Sequence, residues 1–406
     1  MARSLGLSAY LTFARRLPAT SAPPSSARPE GELLWLHCPS AENARTVARL
    51  GQRLAAQRPG LSLLLTTSPG TRRPNGLPES VIWQACPSEN PDDVRRFLDH
   101  WHPDAGLWLG PYLRPALIDA AVRRSLPLYF VDTGELLLEN RLWRLGPDPI
   151  RPTLALFKAI LVPDGEAMQR LRKLAPDTDR LLESGPLLEE CPALPCNETD
   201  LEDISQALGG RPTWLAARLH LSELSPVLAA HRAMLRLSHR LLLIVVPANP
   251  AEADQFYTAC RESGWRVAHW DDGDVPEDKT RVILSGDPRE LGLWYRVAPV
   301  TFLGSSLVPK QGGQNPLEPA ALGSAVLYGP SIRNHLEAYS RLADAGAARI
   351  VRDVDSLVSA LGQVLAPDIT ARMAHAGWEI VSEGAEVSDQ IITLLQEALD
   401  LSEVNA

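Results

Sequence analysis

Small residues, an amide and a carboxylate crowd into one stretch of this chain: Gly304-Ser305-Ser306, then Gly312-Gly313-Gln314-Asn315-Pro316-Leu317-Glu318. An apolar run, Val300–Leu303, leads into it, and a second, Ala325–Tyr328, follows. The pattern reads as strand, glycine-rich loop, helix and strand. Gly304-Ser305-Ser306 would let a ligand approach the backbone closely. Asn315 suits an N-cap, Pro316 the first helical position, Glu318 the carboxylate of a capping box, and Gly323 the helix end. Free N–H groups and a positive dipole end at Asn315 form an anion site, whose usual occupant is a nucleotide phosphate. The same residues would cap the helix with nothing bound. Local chemistry alone leaves both readings open.

Two other loops carry polar side chains of interest. His37-Cys38-Pro39-Ser40-Ala41-Glu42-Asn43 follows the apolar strand Leu33–Leu36. Arg218-Leu219-His220-Leu221-Ser222-Glu223 follows the strand Thr213–Ala217 and opens a helix. That second loop offers hydroxyl, imidazole and backbone donors to a phosphate, or else a helix cap built on Ser222 or Glu223. Five cysteines, Cys38, Cys86, Cys191, Cys196 and Cys260, are scattered and odd in number, as expected of reduced cytosolic thiols. Cys191 and Cys196 have no clustered histidines, so no metal site is expected.

The elements that must position these loops alternate along the chain. Strands are expected at Leu33–Leu36, Leu61–Thr66, Val81–Gln84, Gly106–Leu109, Leu126–Val131 and Ala159–Val162. Helices are expected at Glu42–Gln57, Pro91–Trp101 and Arg114–Arg124. A second series runs through Thr213–Ala217, Leu241–Val246, Val267–Trp270, Val282–Leu284, Val300–Leu303, Ala325–Tyr328 and Ile350-Val351. An amphipathic helix from Ile380 to Leu401 closes the chain. This is an α/β pattern of parallel sheets, and 406 residues suffice for two such domains. Ligands of such sheets sit in loops at the carboxyl ends of strands. A net charge of −9 and a pI near 5.6 argue against general nucleic-acid binding.

The expected division is residues 1–30 as a basic, apolar arm and linker, 31–190 and 200–385 as two Rossmann-like domains, and 386–406 as a terminal helix. No apolar run approaches the ~20 residues that span a bilayer. Leu5–Ala14 is apolar, with Arg3 before it and Arg15-Arg16 after it, and no acidic residue occurs before Glu30. It reads either as an interfacial anchor on anionic lipid or as a frayed terminal helix. Pro18–Pro29 reads as a linker.

Residues 304–321, G-S-S-L-V-P-K-Q-G-G-Q-N-P-L-E-P-A-A, closed by Gly329-Pro330, resemble the donor-site motif of the 3-deoxy-D-manno-octulosonic acid (Kdo) transferases of lipopolysaccharide synthesis. That motif runs approximately G-G-S-L-V-x-x-G-G-H-N-P-L-E-x-A and ends in G-P. Ser305 stands for a glycine, Gln314 for a histidine, and one residue is inserted near Lys310-Gln311. His37–Asn43 resembles H-S-V-S-V-G-E, whose last glutamate is taken as the catalytic base. Asn43 holds that position, and an amide cannot take a proton. Glu42, one residue earlier, is the candidate base; its alternative role is a first-turn helix residue favoured by the dipole. Gly110–Pro115 replaces the family's E-T-E-L-W-P without a carboxylate. Arg218–Glu223 is similar to S-T-H-x-G-E and keeps His220 and Glu223. Pro247-Ala248-Asn249-Pro250 resembles V-P-R-H-P-E without its arginine, whose charge Arg218 or Arg289 could replace.

The resemblance implies a GT-B fold, two Rossmann-like domains facing a central cleft, and transfer of Kdo from CMP-Kdo or a similar nucleotide sugar to a lipid A precursor. It implies Ser305, Ser306, Gly312, Gly313, Gln314, Asn315, Glu318, His220 and Ser222 around the donor, with no cofactor, and leaves Glu42, one residue before the matching position, as the candidate catalytic residue. The cysteine pattern and the basic, apolar arm are those expected of a cytoplasmic protein in peripheral contact with the anionic inner membrane. Another GT-B nucleotide-sugar enzyme, or a non-catalytic donor-binding paralogue, are the alternatives.

Overall fold

The computed structural model describes residues 4–404 apart from 22, 25, 40, 75–76, 140–142, 144–145, 175–176 and 189–192, and only the backbone of residues 41, 42, 403 and 404. Internal contacts divide the chain into two units, residues 1–190 with 383–406, and residues 191–382.

The first unit is built on seven parallel strands: β1 (Leu33–His37), β2 (Ser62–Thr67), β3 (Val81–Ala85), β4 (Ala105–Leu109), β5 (Leu128–Val131), β6 (Ala159–Val162) and β7 (Leu181–Glu183). Their order is β3-β2-β1-β4-β5-β6-β7. Every residue of β1 and β4 is buried, because helices cover both faces of a parallel sheet. One face packs Trp35, Phe97, Trp108 and Phe130. The other packs Leu34, Leu36, Val47 and Leu54 with Ile391, Leu395 and Leu399 from the end of the helix Pro367–Val404. The order reverses between β1 and β4, the kind of position at which such sheets commonly bind ligands. β7 has no counterpart in the sequence reading: three residues ending in Glu183 carry too little apolar pattern.

The amino-terminal arm belongs to this unit. Helix α1 (Leu5–Ala14) buries Leu7, Tyr10 and Ala14, and Tyr10 donates to the buried carboxylate of Glu89. A Cβ on Gly6 would meet Asp148 O at 2.1 Å, so glycine is what lets α1 lie this close. This overturns the frayed helix. The expected linker is also pinned. Thr20 and Ser21 N–H donate to Asp93 Oδ2 at 2.9 and 3.0 Å, and Arg28 Nε donates to Trp101 O at 2.8 Å. Asp93 is buried. Although burial acts the other way, bonds from Ser88, Ser21 and Thr20 hold its carboxyl below the usual range.

The second unit repeats the plan with β8 (Thr213–Leu219), β9 (Leu242–Pro247), β10 (Val267–His269), β11 (Val282–Leu284), β12 (Val300–Leu303), β13 (Ala325–Tyr328) and β14 (Ala348–Ile350), ordered β10-β11-β9-β8-β12-β13-β14. Its reversal lies between β8 and β12. That places the loop after Leu219 beside the loop after Leu303. His231, fully buried, bridges the core: Trp214 Nε1 donates to its Nδ1 at 3.2 Å, and its Nε2 donates to Arg281 O at 3.0 Å. Burial lowers its pKa to about 3.

Candidate functional site

In the second unit the candidate residues gather at the β8–β12 reversal. Helix α2 (Leu221–Met234) starts there with a capping box: His220 Nδ1 accepts from Ser222 N–H at 3.3 Å and Glu223 Oε2 accepts from His220 N–H at 3.0 Å. With Nδ1 accepting, the imidazole carries its proton on Nε2. Glu223 does more than cap. Its carboxylate, 1% exposed, also accepts from the N–H groups of Ser305 (2.6 Å), Ser306 (3.0 Å) and Leu307 (2.8 Å). Four backbone donors converge on one side chain, which ties the loop after β12 to the loop after β8. Sequence reasoning gave Glu223 only a local cap, since its partners at Ser305–Leu307 lie more than 80 residues away.

The glycines serve the same closure. A Cβ on Gly304 would meet Leu219 Cα at 2.6 Å, and one on Gly312 would meet Asn334 Nδ2 at 2.5 Å. The space expected for a ligand at Gly304–Ser306 is therefore taken by neighbouring chain. Ser305, at φ +53, holds a left-handed conformation that favours glycine, the residue of the family motif at this place. Gly312 and Gly313 are buried, with Gly312 N–H bonded to Ser331 Oγ and Gly313 N–H to Ser305 O.

Asn315 Oδ1 accepts from Leu317 N–H at 3.1 Å, but the short helix Leu317–Ala321 starts one residue later than expected, with Pro316 at the cap position and no side-chain capping bond from it. Gln314 is half-buried, and its carbonyl accepts from the buried phenol of Tyr339 at 2.7 Å. Glu318 reaches Arg218 Nη2 at 3.3 Å, an ion pair with the two side chains 17% and 28% exposed. His220 and Ser222 thus follow β8, while Gln314, Asn315 and Glu318 follow β12, and the two segments are joined through Glu223–Ser305 and Arg218–Glu318. Ser305 and Ser306 are part of the fastening.

In the first unit β1 ends on His37, 1% exposed and tilted at 30° against Trp108 with ring centroids 3.8 Å apart. Nδ1 shares a 2.9 Å bond with Thr66 Oγ1, while Nε2 has no partner among the described residues. Burial first, and then the Arg114 charge, push the pKa of His37 well below its ordinary value, so the ring is neutral. Glu42 lies outside the described residues as a side chain; its backbone is in the first turn of the helix Ala41–Gln57. The segment Gly110–Pro115, expected to lack a carboxylate, carries Arg114 instead as a buried cation. Its Nη1 donates to Glu139 at 2.6 Å. Glu89 lies within the field of that cation, and burial raises its pKa.

Residues 12–187 match the family model described as 3-deoxy-D-manno-octulosonic-acid transferase (kdotransferase). The 3-deoxy-D-manno-octulosonic acid transferase of Haemophilus influenzae is 26% identical over 92% of this chain and 88% of its own length. The protein of that name from Bordetella pertussis is 27% identical over 87% of this chain and 84% of its own. Among solved structures, MurG of Acinetobacter baumannii shares the fold at a TM-score of 0.52 and 11% identity, over 90% of this chain and all of that one. The two parallel-sheet units are those of the GT-B class.

Proposed function

We infer that this chain, a divergent member of the 3-deoxy-D-manno-octulosonic acid transferase family, is a glycosyltransferase that moves Kdo from CMP-Kdo to a lipid A precursor in lipopolysaccharide synthesis. The observation that carries this reading is the likeness to transferases of that name along nearly the whole chain, spanning both sheets. The preformed strand edge at the β8–β12 reversal supports a nucleotide-sugar donor there. In this reading Asn315, Glu318 and Gln314 border the nucleotide, and His220 Nε2–H and Ser222 offer donors to its anionic part. Ser305, Ser306, Gly312 and Gly313 keep the loop in shape.

Glu42 takes the proton of the acceptor hydroxyl as that oxygen attacks the anomeric carbon and CMP leaves with the bonding pair, inverting the centre. The direct test is a transfer assay with CMP-Kdo and a lipid A precursor. No product, with CMP still bound, would overturn it. That outcome would favour a second reading, a non-catalytic donor-binding paralogue, which rests on Asn43 standing where the family's base belongs.

Peripheral contact with an anionic membrane on the cytoplasmic side completes the proposal. α1 is docked through Tyr10 and Ala14, yet Leu5 is 85% exposed and Arg15 and Arg16 face solvent. No described helix is long and apolar enough to cross a membrane. Sedimentation with anionic liposomes should show weak, salt-sensitive binding. Charge reversal at Arg15 and Arg16 that leaves partitioning unchanged would remove this part.

A further inference from the structure

We propose that Arg218 receives the negative charge of the nucleotide donor, with Glu318 as its holder; this rests on the donor-site reading above. Anion sites at the ends of parallel strands are commonly made of backbone N–H groups. The loop from Gly304 to Gly313 has the composition of one, but the N–H groups of its glycine- and serine-rich ends are committed. Ser305, Ser306 and Leu307 N–H groups bond Glu223; Gly312 N–H bonds Ser331 Oγ at 3.1 Å; Gly313 N–H bonds Ser305 O at 3.0 Å. Ser306 Oγ donates to Leu303 O and accepts from Gly329 N–H at 2.8 Å. Glu223 holds the place a phosphate would take. An incoming anion would have to displace a buried carboxylate of its own sign, so a side chain must meet the charge instead.

Arg218 is placed for that. It lies near the end of β8, at the sheet reversal, with φ +50. That conformation is unusual for arginine and is held by Ser305 Oγ, which donates to the Arg218 carbonyl at 3.1 Å. The guanidinium is half-buried beside Glu318 and the phenol of Tyr295. Its contact to Glu318 runs through Nη2 alone, so the planar fork of donors is not used as a bidentate pair. The neighbouring strand end offers no cation: Ala248 N–H donates to Leu219 O at 2.9 Å, and Ala248-Asn249-Pro250 follows β9. Arg289 folds onto Asp287 with a side chain 90% exposed.

Calorimetric titration with CMP and with cytidine, which lacks the phosphate, tests this. The wild-type protein should bind CMP more tightly than cytidine, and added salt should weaken only CMP. Arg218→Gln should weaken CMP by about 10- to 100-fold, as expected for loss of a charged hydrogen bond, and leave cytidine unchanged. Arg218→Lys should recover part of the difference, and Glu318→Gln should show a smaller loss. A folded Arg218→Gln variant that keeps the CMP-to-cytidine ratio overturns the assignment and leaves the donor-site reading intact. If that variant does not fold, CMP affinity in the wild type that is as indifferent to salt as cytidine affinity overturns it equally. Wild-type protein that binds neither probe overturns both.

Discussion

The two units reverse their strand order at the same place, yet they treat the polar groups there in opposite ways. In the second unit the loops after β8 and β12 close on each other, because Glu223 gathers four backbone N–H groups and buried glycines admit the neighbouring chain. In the first unit β1 ends on a neutral, desolvated histidine whose Nε2 has no partner among the described residues. A buried unsatisfied nitrogen opposes stability, and a fold keeps one where something other than stability is served. One sheet edge is pre-set, as the proposed donor surface requires. The other holds back a polar atom beside the loop that carries the proposed base.

The largest effect should fall on chemistry and leave the second unit untouched. Glu42→Gln should lower turnover about 10²- to 10⁴-fold with CMP affinity nearly intact. Full turnover in that variant would make Glu42 a helix-end residue only. Asn43→Glu sharpens the point, since a gain of turnover from an inactive wild type would mean that the native base is missing.

Glu223→Gln should act on the opposite edge. An amide cannot accept from all four donors, and each buried N–H left without an acceptor costs about 1–3 kcal/mol. Differential scanning calorimetry should show the loss in the second unit, together with weakened CMP binding. Unchanged melting would mean that the loops after β8 and β12 hold without the carboxylate.

Asp93→Ala should detach the segment 18–28 from the first unit at about 1.5–3 kcal/mol, the range for hydrogen bonds to a charged group. Limited proteolysis between Pro18 and Pro29 reads this out. The folded carboxyl titrates below its ordinary 3.8, so its stabilisation is present above that value and is lost as pH falls through the folded pKa. Asp93→Asn should flatten that acid limb.

At neutral pH the smallest effect concerns His231, whose pKa falls from 6.5 to about 3 on burial, so that its cost emerges only in acid. The unfolded chain binds the extra proton between these values, so stability is full above pH 6.5. It declines by about 1.4 kcal/mol per pH unit as the pH falls toward 3. His231→Gln should remove that slope from the second unit's transition. A slope that persists must belong to other groups.

Much of the architecture was legible in the sequence. Buried strands such as Leu33–Leu36 and Leu242–Val246 announce themselves by continuous apolar runs, and Asn315 and Glu223 by their spacing at helix starts. These signals depend on neighbours within a few residues. β7 gives no signal because three residues carry no period, and Pro18–Pro29 reads as a linker because its fasteners are remote. Tyr10 meets Glu89 across 79 residues and Thr20 meets Asp93 across 73.

The sequence by itself determined the alternation of strands and helices, the two sheets and the composition of the loops at their edges, since hydrophobic period and capping are local. Only the tertiary structure decided which donors in those loops are committed. Glu223 with Ser305 and Arg218 with Glu318 join residues 82 and 100 positions apart. Hydrogen-bond saturation is a property of atoms brought together by sheet order, and no spacing along the chain encodes it.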